Sequence, residues 1–116
     1  MEHDECIFSK IVRKEIKANI VYENDTVLAF NDINPVAPVH VLVIPKKKYR
    51  DFIDFTNNAS DAEITQYFKS IKDITYLLNL KNVKFRLITN NGEDSGQTIM
   101  YFHTHIIGGK KLQELI

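Results

Sequence analysis

His103 and His105 stand two positions apart near the end of the chain. On an extended strand that spacing puts both side chains on one face, with Cα atoms roughly 6.6 Å apart, so two imidazoles reach one small ligand. Imidazole titrates close to neutrality and can serve as nucleophile, proton carrier, phosphate contact or metal ligand without an extreme pKa shift. The stretch before the pair, Asn90-Asn91-Gly92-Glu93-Asp94-Ser95-Gly96-Gln97-Thr98, is polar and carries hydroxyls. Its backbone N–H groups and the Thr98 hydroxyl are placed to face an anion, with phosphate the natural expectation. His40 lies inside the apolar run Val39 to Ile44 and, taken by itself, reads as a hydrogen-bonded core histidine.

These side chains need a frame. Phe8, Ile11 and Val12 fall at i, i+3 and i+4 and predict a short helix ending near Lys14. Ile20 to Glu23 and Val27 to Phe30, either side of Asn24-Asp25, predict a hairpin. Val39 to Ile44 is short and dense enough for a buried strand, closed by Pro45. Ser60 with Glu63 forms a capping box ahead of Ile64, Phe68, Ile71, Ile74 and Leu78, which predicts one long helix. Val83 to Thr89 reads as a half-buried strand, with Val83, Phe85 and Leu87 on one face and Lys84, Arg86 and Ile88 on the other. Thr98 to Ile107 reads as the last strand, with Tyr101, His103 and His105 on one face and Phe102, Thr104 and Ile106 on the other. The expected class is α+β: about five strands in a mainly antiparallel sheet, one long helix and a short N-terminal helix.

The 116 residues balance 15 Lys+Arg against 15 Asp+Glu, and 44% are hydrophobic, the profile of one globular domain spanning 1–116. Cys6 is the single cysteine, so no disulfide forms within the chain and a reducing compartment suits it. No apolar run approaches the roughly 20 residues of a membrane helix, and the acidic start has the wrong sign for a signal peptide. A soluble, cytoplasmic protein with no membrane partner is expected. Neutral net charge argues against nucleic-acid binding by bulk electrostatics, and the basic turn Lys46-Lys47-Lys48 with Arg50 reads as solvated.

The segment Gly96-Gln97-Thr98-Ile99-Met100-Tyr101-Phe102-His103-Thr104-His105-Ile106-Ile107-Gly108-Gly109 resembles the signature of the histidine triad superfamily, His-x-His-x-His followed by two apolar residues. The blocks Phe8 to Ile16 and Phe30 to Lys47 are similar to those of its Hint branch, the nucleoside phosphoramidases, so the likeness runs in order over nearly the whole chain. The resemblance implies the HIT-like fold and a homodimer, through the long helix and the Val83 to Asn90 strand. It implies a purine nucleotide substrate of AMP or GMP type, and no cofactor. It makes His103 the nucleophile that attacks the α-phosphorus and forms a nucleotidyl-histidine, later hydrolysed by water. His105 then contacts the α-phosphate, His40 supports the pocket, and Thr98 supplies a hydroxyl near the leaving group. Asp32 matches the carboxylate that binds the ribose hydroxyls. Asn90 and Gln97 match phosphate- and loop-positioning residues, and Phe8, Ile11, Phe30 and Ile33 match the apolar slot around the base.

Tyr101 takes the place of the first histidine of the triad. In the family that position orients the nucleophile through its backbone carbonyl, which any residue supplies, so activity is expected to persist. The alternative is a nucleotide-binding regulatory module with little turnover. Many bacterial relatives hold a structural zinc at positions that here read Cys6, Ser9, Lys48 and Tyr101, so that metal is not expected. A zinc hydrolase using His40, His103 and His105 is a third reading, against which the resemblance weighs.

Overall fold

In the computed structural model, which describes residues 6–80 and 84–115, β1 (Ile20–Glu23) and β2 (Val27–Asn31) form the predicted hairpin. Asn24 makes its turn by accepting the N–H groups of Thr26 and Val27 on its side-chain oxygen. β3 (Val39–Pro45) and β5 (Thr104–Gly108) fill the centre, and β4 (Phe85–Ile88) closes the far edge. The sheet order is β1-β2-β3-β5-β4, and every neighbouring pair is antiparallel.

Period-two alternation gives the sheet two unequal covers. Ala29, Val41, Val43, Phe102 and Ile106 face α2 (Phe52–Asn58) and α3 (Asp61–Leu77), where Phe55, Tyr67, Ile71 and Ile74 complete the larger core. α3 begins as the sequence predicts, with Ser60 and Glu63 exchanging side-chain to backbone hydrogen bonds in a full capping box. On the opposite face Leu28, Phe30, Leu42, Ile44 and Tyr101 meet Phe8 and Ile11 of α1 (Ile7–Val12). A six-residue helix covers only part of that face. The histidines occupy the remainder.

Three expectations change. α2 has no counterpart in the sequence reading; it is capped by Asp51, whose carboxylate accepts the Asp54 N–H, and buries only Phe55. The predicted strand from Thr98 to Ile107 is strand only from Thr104, because residues 98–103 leave the ladder and the Phe102 N–H donates to the Tyr49 carbonyl at 2.7 Å. In β4 the apolar Phe85 and Leu87 are the exposed residues, and Arg86 and Ile88 on the other face the half-buried ones. Val83, the expected start of that strand, lies outside the described residues.

Candidate active site

His40 pairs with Ile107 and Leu42 with His105 across the β3–β5 ladder. His40 and His105 are therefore diagonal neighbours on one face, a separation that two imidazoles can close. They do: His40 Nε2 lies 2.9 Å from His105 Nδ1. His103, the last residue before β5 in an irregular segment, brings its ring to 5.1 Å from that of His105.

Backbone groups fix the protons on all three rings. The Val36 N–H can only donate, and it lies 3.1 Å from His40 Nδ1, so that nitrogen is the acceptor and the proton of neutral His40 sits on Nε2. This Nε2–H then donates to His105 Nδ1, which leaves the His105 proton on Nε2. The Tyr101 carbonyl can only accept. At 2.7 Å from His103 Nδ1 it holds the proton there and leaves Nε2 with a free lone pair. The neighbouring imidazoles thus carry opposite tautomers, one presenting a nucleophilic nitrogen and the other an N–H donor.

Electrostatics favours the neutral rings this requires. Burial pushes the pKa of His103 below the usual histidine value, against the Tyr101 carbonyl bond and the Asp32 charge, which pull it up. Burial lowers His105 further, to about 4, helped by the neighbouring His103 and His40 and opposed by Asp32. Asp32 sits beside them: one carboxylate oxygen accepts the Asn34 N–H at 2.8 Å and the other lies 3.4 Å from His40 Nε2.

The other expected site residues divide by exposure. Phe8, Ile11 and Phe30 are buried in the smaller core, where Phe8 stands edge-on to His103 at 5.2 Å and forms the floor beside that ring. Ile33 is 88% exposed, unusual for an apolar side chain next to a carboxylate and a histidine pair. Gln97 is buried and fully occupied: its oxygen accepts the Gly92 N–H, and its amide donates to the carbonyls of Arg50 and Ile99. It shapes the loop from within. Asn90 packs against that loop near Gly96, and Thr98 is exposed. Two contributors escaped the sequence reading. Val36 acts through its backbone N–H, for which no side-chain signal exists, and Thr89 donates its hydroxyl to the His103 carbonyl at 3.0 Å.

Asp32, His40 and His105 offer ligand atoms within 4.8 Å of one another, the one such grouping among the described residues. Its spacing is that of a proton. Tetrahedral zinc with nitrogens about 2.05 Å away would separate them by about 3.3 Å, whereas these two stand 2.9 Å apart. The His40 nitrogen that would bind is moreover the protonated one. Protein dialysed against a chelator is therefore expected to keep its ligand affinity and any turnover, with substoichiometric zinc by elemental analysis. Loss of function restored by zinc would contradict this geometry.

A five-stranded antiparallel sheet with helices on both faces and a half-buried histidine cluster on the more thinly covered one defines the class: an α+β domain built around an imidazole site. The sequence profile of the HIT domain matches residues 13–112, and the chain belongs to that family. It is 53% identical to an uncharacterized HIT-like protein of Rickettsia prowazekii (strain Madrid E), over 100% of this chain and 97% of that one. Among solved structures, a histidine triad protein from Clostridium difficile superposes with a TM-score of 0.87 at 44% identity, covering 100% of both chains. A HIT family hydrolase from Legionella pneumophila Philadelphia 1 gives 0.87 at 33% identity, covering 94% of this chain and 96% of that one. A histidine triad nucleotide-binding protein from Candida albicans gives 0.80 at 26%, covering 97% and 86%. The chain therefore has the fold shared by HIT hydrolases and nucleotide-binding proteins. No helix among the described residues is long and apolar enough to cross a membrane.

Proposed function

We propose that the protein is a metal-independent cytoplasmic hydrolase of purine nucleoside 5′-phosphoramidates of AMP or GMP type, or of related nucleotidyl conjugates. The observation that carries this reading is the opposed tautomers of His103 and His105. His103 Nε2 attacks the α-phosphorus, a nitrogen–phosphorus bond forms, and the bond to the amine breaks as the amine, with the exposed Thr98 hydroxyl beside it, takes a proton from solvent, which the attacking water returns in the second step. His105 Nε2–H donates to a non-bridging phosphate oxygen as charge develops there. Water then attacks the nucleotidyl-His103, breaks the phosphorus–imidazole bond and releases the nucleotide, so one hard displacement becomes two easier ones. Asp32 takes the ribose hydroxyls, and Ile33, with the Phe8, Ile11 and Phe30 cluster behind, flanks the base. Asn90 and Gln97 hold the phosphate-side loop.

The rival reading, a binding module silenced by Tyr101, loses weight because the group needed at this position is a carbonyl, and it is in place. Purified protein given adenosine 5′-phosphoramidate in the presence of a chelator is expected to release AMP and ammonia. AMP binding with no release would favour the module.

The working species in this reading is a homodimer. Phe68, Tyr76 and Leu77 of α3 and Phe85 and Leu87 of β4 are each at least 40% exposed, an apolar surface that ends in an unpaired strand edge. Light scattering is expected to give twice the chain mass, and Leu87→Lys to shift it toward the monomer. A monomeric wild type at micromolar concentration would remove this part of the proposal.

A further inference from the structure

The segment that carries His103 is not held by a strand ladder. Between Gln97 and His103 it is fastened to residues 45–50 by three separate ties: the Gln97 amide on the Arg50 carbonyl at 2.9 Å, the Phe102 N–H on the Tyr49 carbonyl at 2.7 Å, and the Tyr101 phenol on the carbonyls of Pro45 at 2.6 Å and Lys46 at 3.0 Å. The Tyr101 side chain is buried at the end of β3, with its ring edge-on to Phe8. From the same residue the backbone carbonyl receives His103 Nδ1–H. One residue thus anchors itself with its side chain and orients the adjacent histidine with its main chain.

We propose that the Tyr101 phenol is a positioning residue for His103: by pinning Tyr101 to the end of β3 it fixes the carbonyl that keeps the His103 proton on Nδ1. This rests on the hydrolase reading for its catalytic consequence, although the tautomer itself is a property of the unliganded protein. The physical reasoning is short. In this irregular segment two ties aim the carbonyl: the Phe102 N–H, in the same planar peptide as the Tyr101 carbonyl, is held by the Tyr49 carbonyl, and the phenol holds Tyr101 from its side-chain end, so the carbonyl keeps its full aim only while both stand. A carbonyl that swings by some tens of degrees no longer accepts well from Nδ1, because hydrogen bonds weaken steeply off their axis. A neutral imidazole released from that bond populates both tautomers, and the Nε2–H form has no lone pair where the phosphorus would arrive.

The test is Tyr101→Phe, which keeps the ring against Phe8 and removes only the hydroxyl. In two-bond proton–nitrogen correlation spectra, wild-type His103 is expected to be a single Nδ1–H tautomer and the variant a mixture. kcat for adenosine 5′-phosphoramidate is expected to fall roughly ten- to thirtyfold, with KM and AMP affinity within about twofold, because small misplacement of a reacting group acts on turnover. An unchanged tautomer in the folded variant overturns the proposal, as does a loss of AMP affinity that matches the loss of kcat. Should Tyr101→Phe fail to fold, Tyr101→3-fluorotyrosine alters the phenol's donor strength without removing it. A shift of the His103 Nδ1–H resonance then supports the tie, and its absence refutes it. A wild type without phosphoramidate turnover would defeat the hydrolase reading and leave the spectroscopic comparison to decide this one.

Discussion

His103→Ala is expected to lower adenosine 5′-phosphoramidate turnover by at least about a thousandfold while AMP affinity stays within about threefold. On the proposed mechanism the size follows from the step removed: without the His103 nucleophile the site must direct water at phosphorus in one displacement, and the covalent route is lost. The small effect on affinity follows from placement. His103 stands edge-on to Phe8 and to His105 and bonds to a backbone carbonyl, contacts within the protein that truncation removes while Asp32 and the His40–His105 hydrogen bond stay in place. Quenched wild-type reactions are expected to yield a chain heavier by one nucleotidyl group, absent from the variant. A variant retaining a tenth of wild-type turnover would refute His103 as nucleophile and point to direct attack by water.

What the sequence disclosed depended on whether a local pattern had one physical cause. The Ser60–Glu63 box caps α3 where the sequence says it begins, and Ile71 and Ile74 of the apolar repeat lie on its buried face, while Phe68 of the same repeat is exposed and its neighbour Tyr67 is buried in its place. The Asn24 turn is equally self-contained. Strand 98–107 misled because alternation reports which way side chains point and not what the backbone bonds to. Phe102 and Tyr101 do face opposite cores, yet their segment is tied to the loop after β3 instead of to a neighbouring strand. α2 was missed because seven residues burying one phenylalanine leave almost no periodic signal, although the Asp51 cap was there to read. In β4 the apolar alternate residues are the exposed ones, an inversion that a surface awaiting a partner would produce.

The site shows the same division. The residue types at positions 103 and 105 suggested phosphate chemistry before any fold was known, and the family likeness supplied an order of roles. His40 looked like a core histidine and is indeed buried, but its bonds to the Val36 N–H and to His105 join it to the site. No sequence pattern contains that link, because it depends on a diagonal across β3 and β5 and on a backbone N–H in the preceding turn. The protons on His40 and His103 are decided by backbone groups every residue possesses, and His40 passes the choice on to His105.

Removing His105 should expose that arrangement through both rate and stability. On the proposed mechanism His105→Ala deletes the N–H donor to the developing phosphate charge, and loss of one such donor typically lowers turnover by about a hundred- to a thousandfold. The same substitution leaves the His40 Nε2–H with only the Asp32 carboxylate, 3.4 Å away, as acceptor. In the wild type, folded His105 takes up its proton only near pH 4, whereas in the unfolded chain it does so near the ordinary histidine value of 6.5. Between those values the unfolded state binds more protons, so wild-type stability is expected to fall as the pH drops through that window. Urea midpoints measured from pH 7 to 4 should therefore decline more steeply for the wild type than for His105→Ala, whose remaining slope comes from His103 and the carboxylates. Equal slopes would mean that His105 is charged in the folded protein at pH 6. It would then offer the phosphate a cation instead of a neutral donor, and His40 could not be donating to its Nδ1.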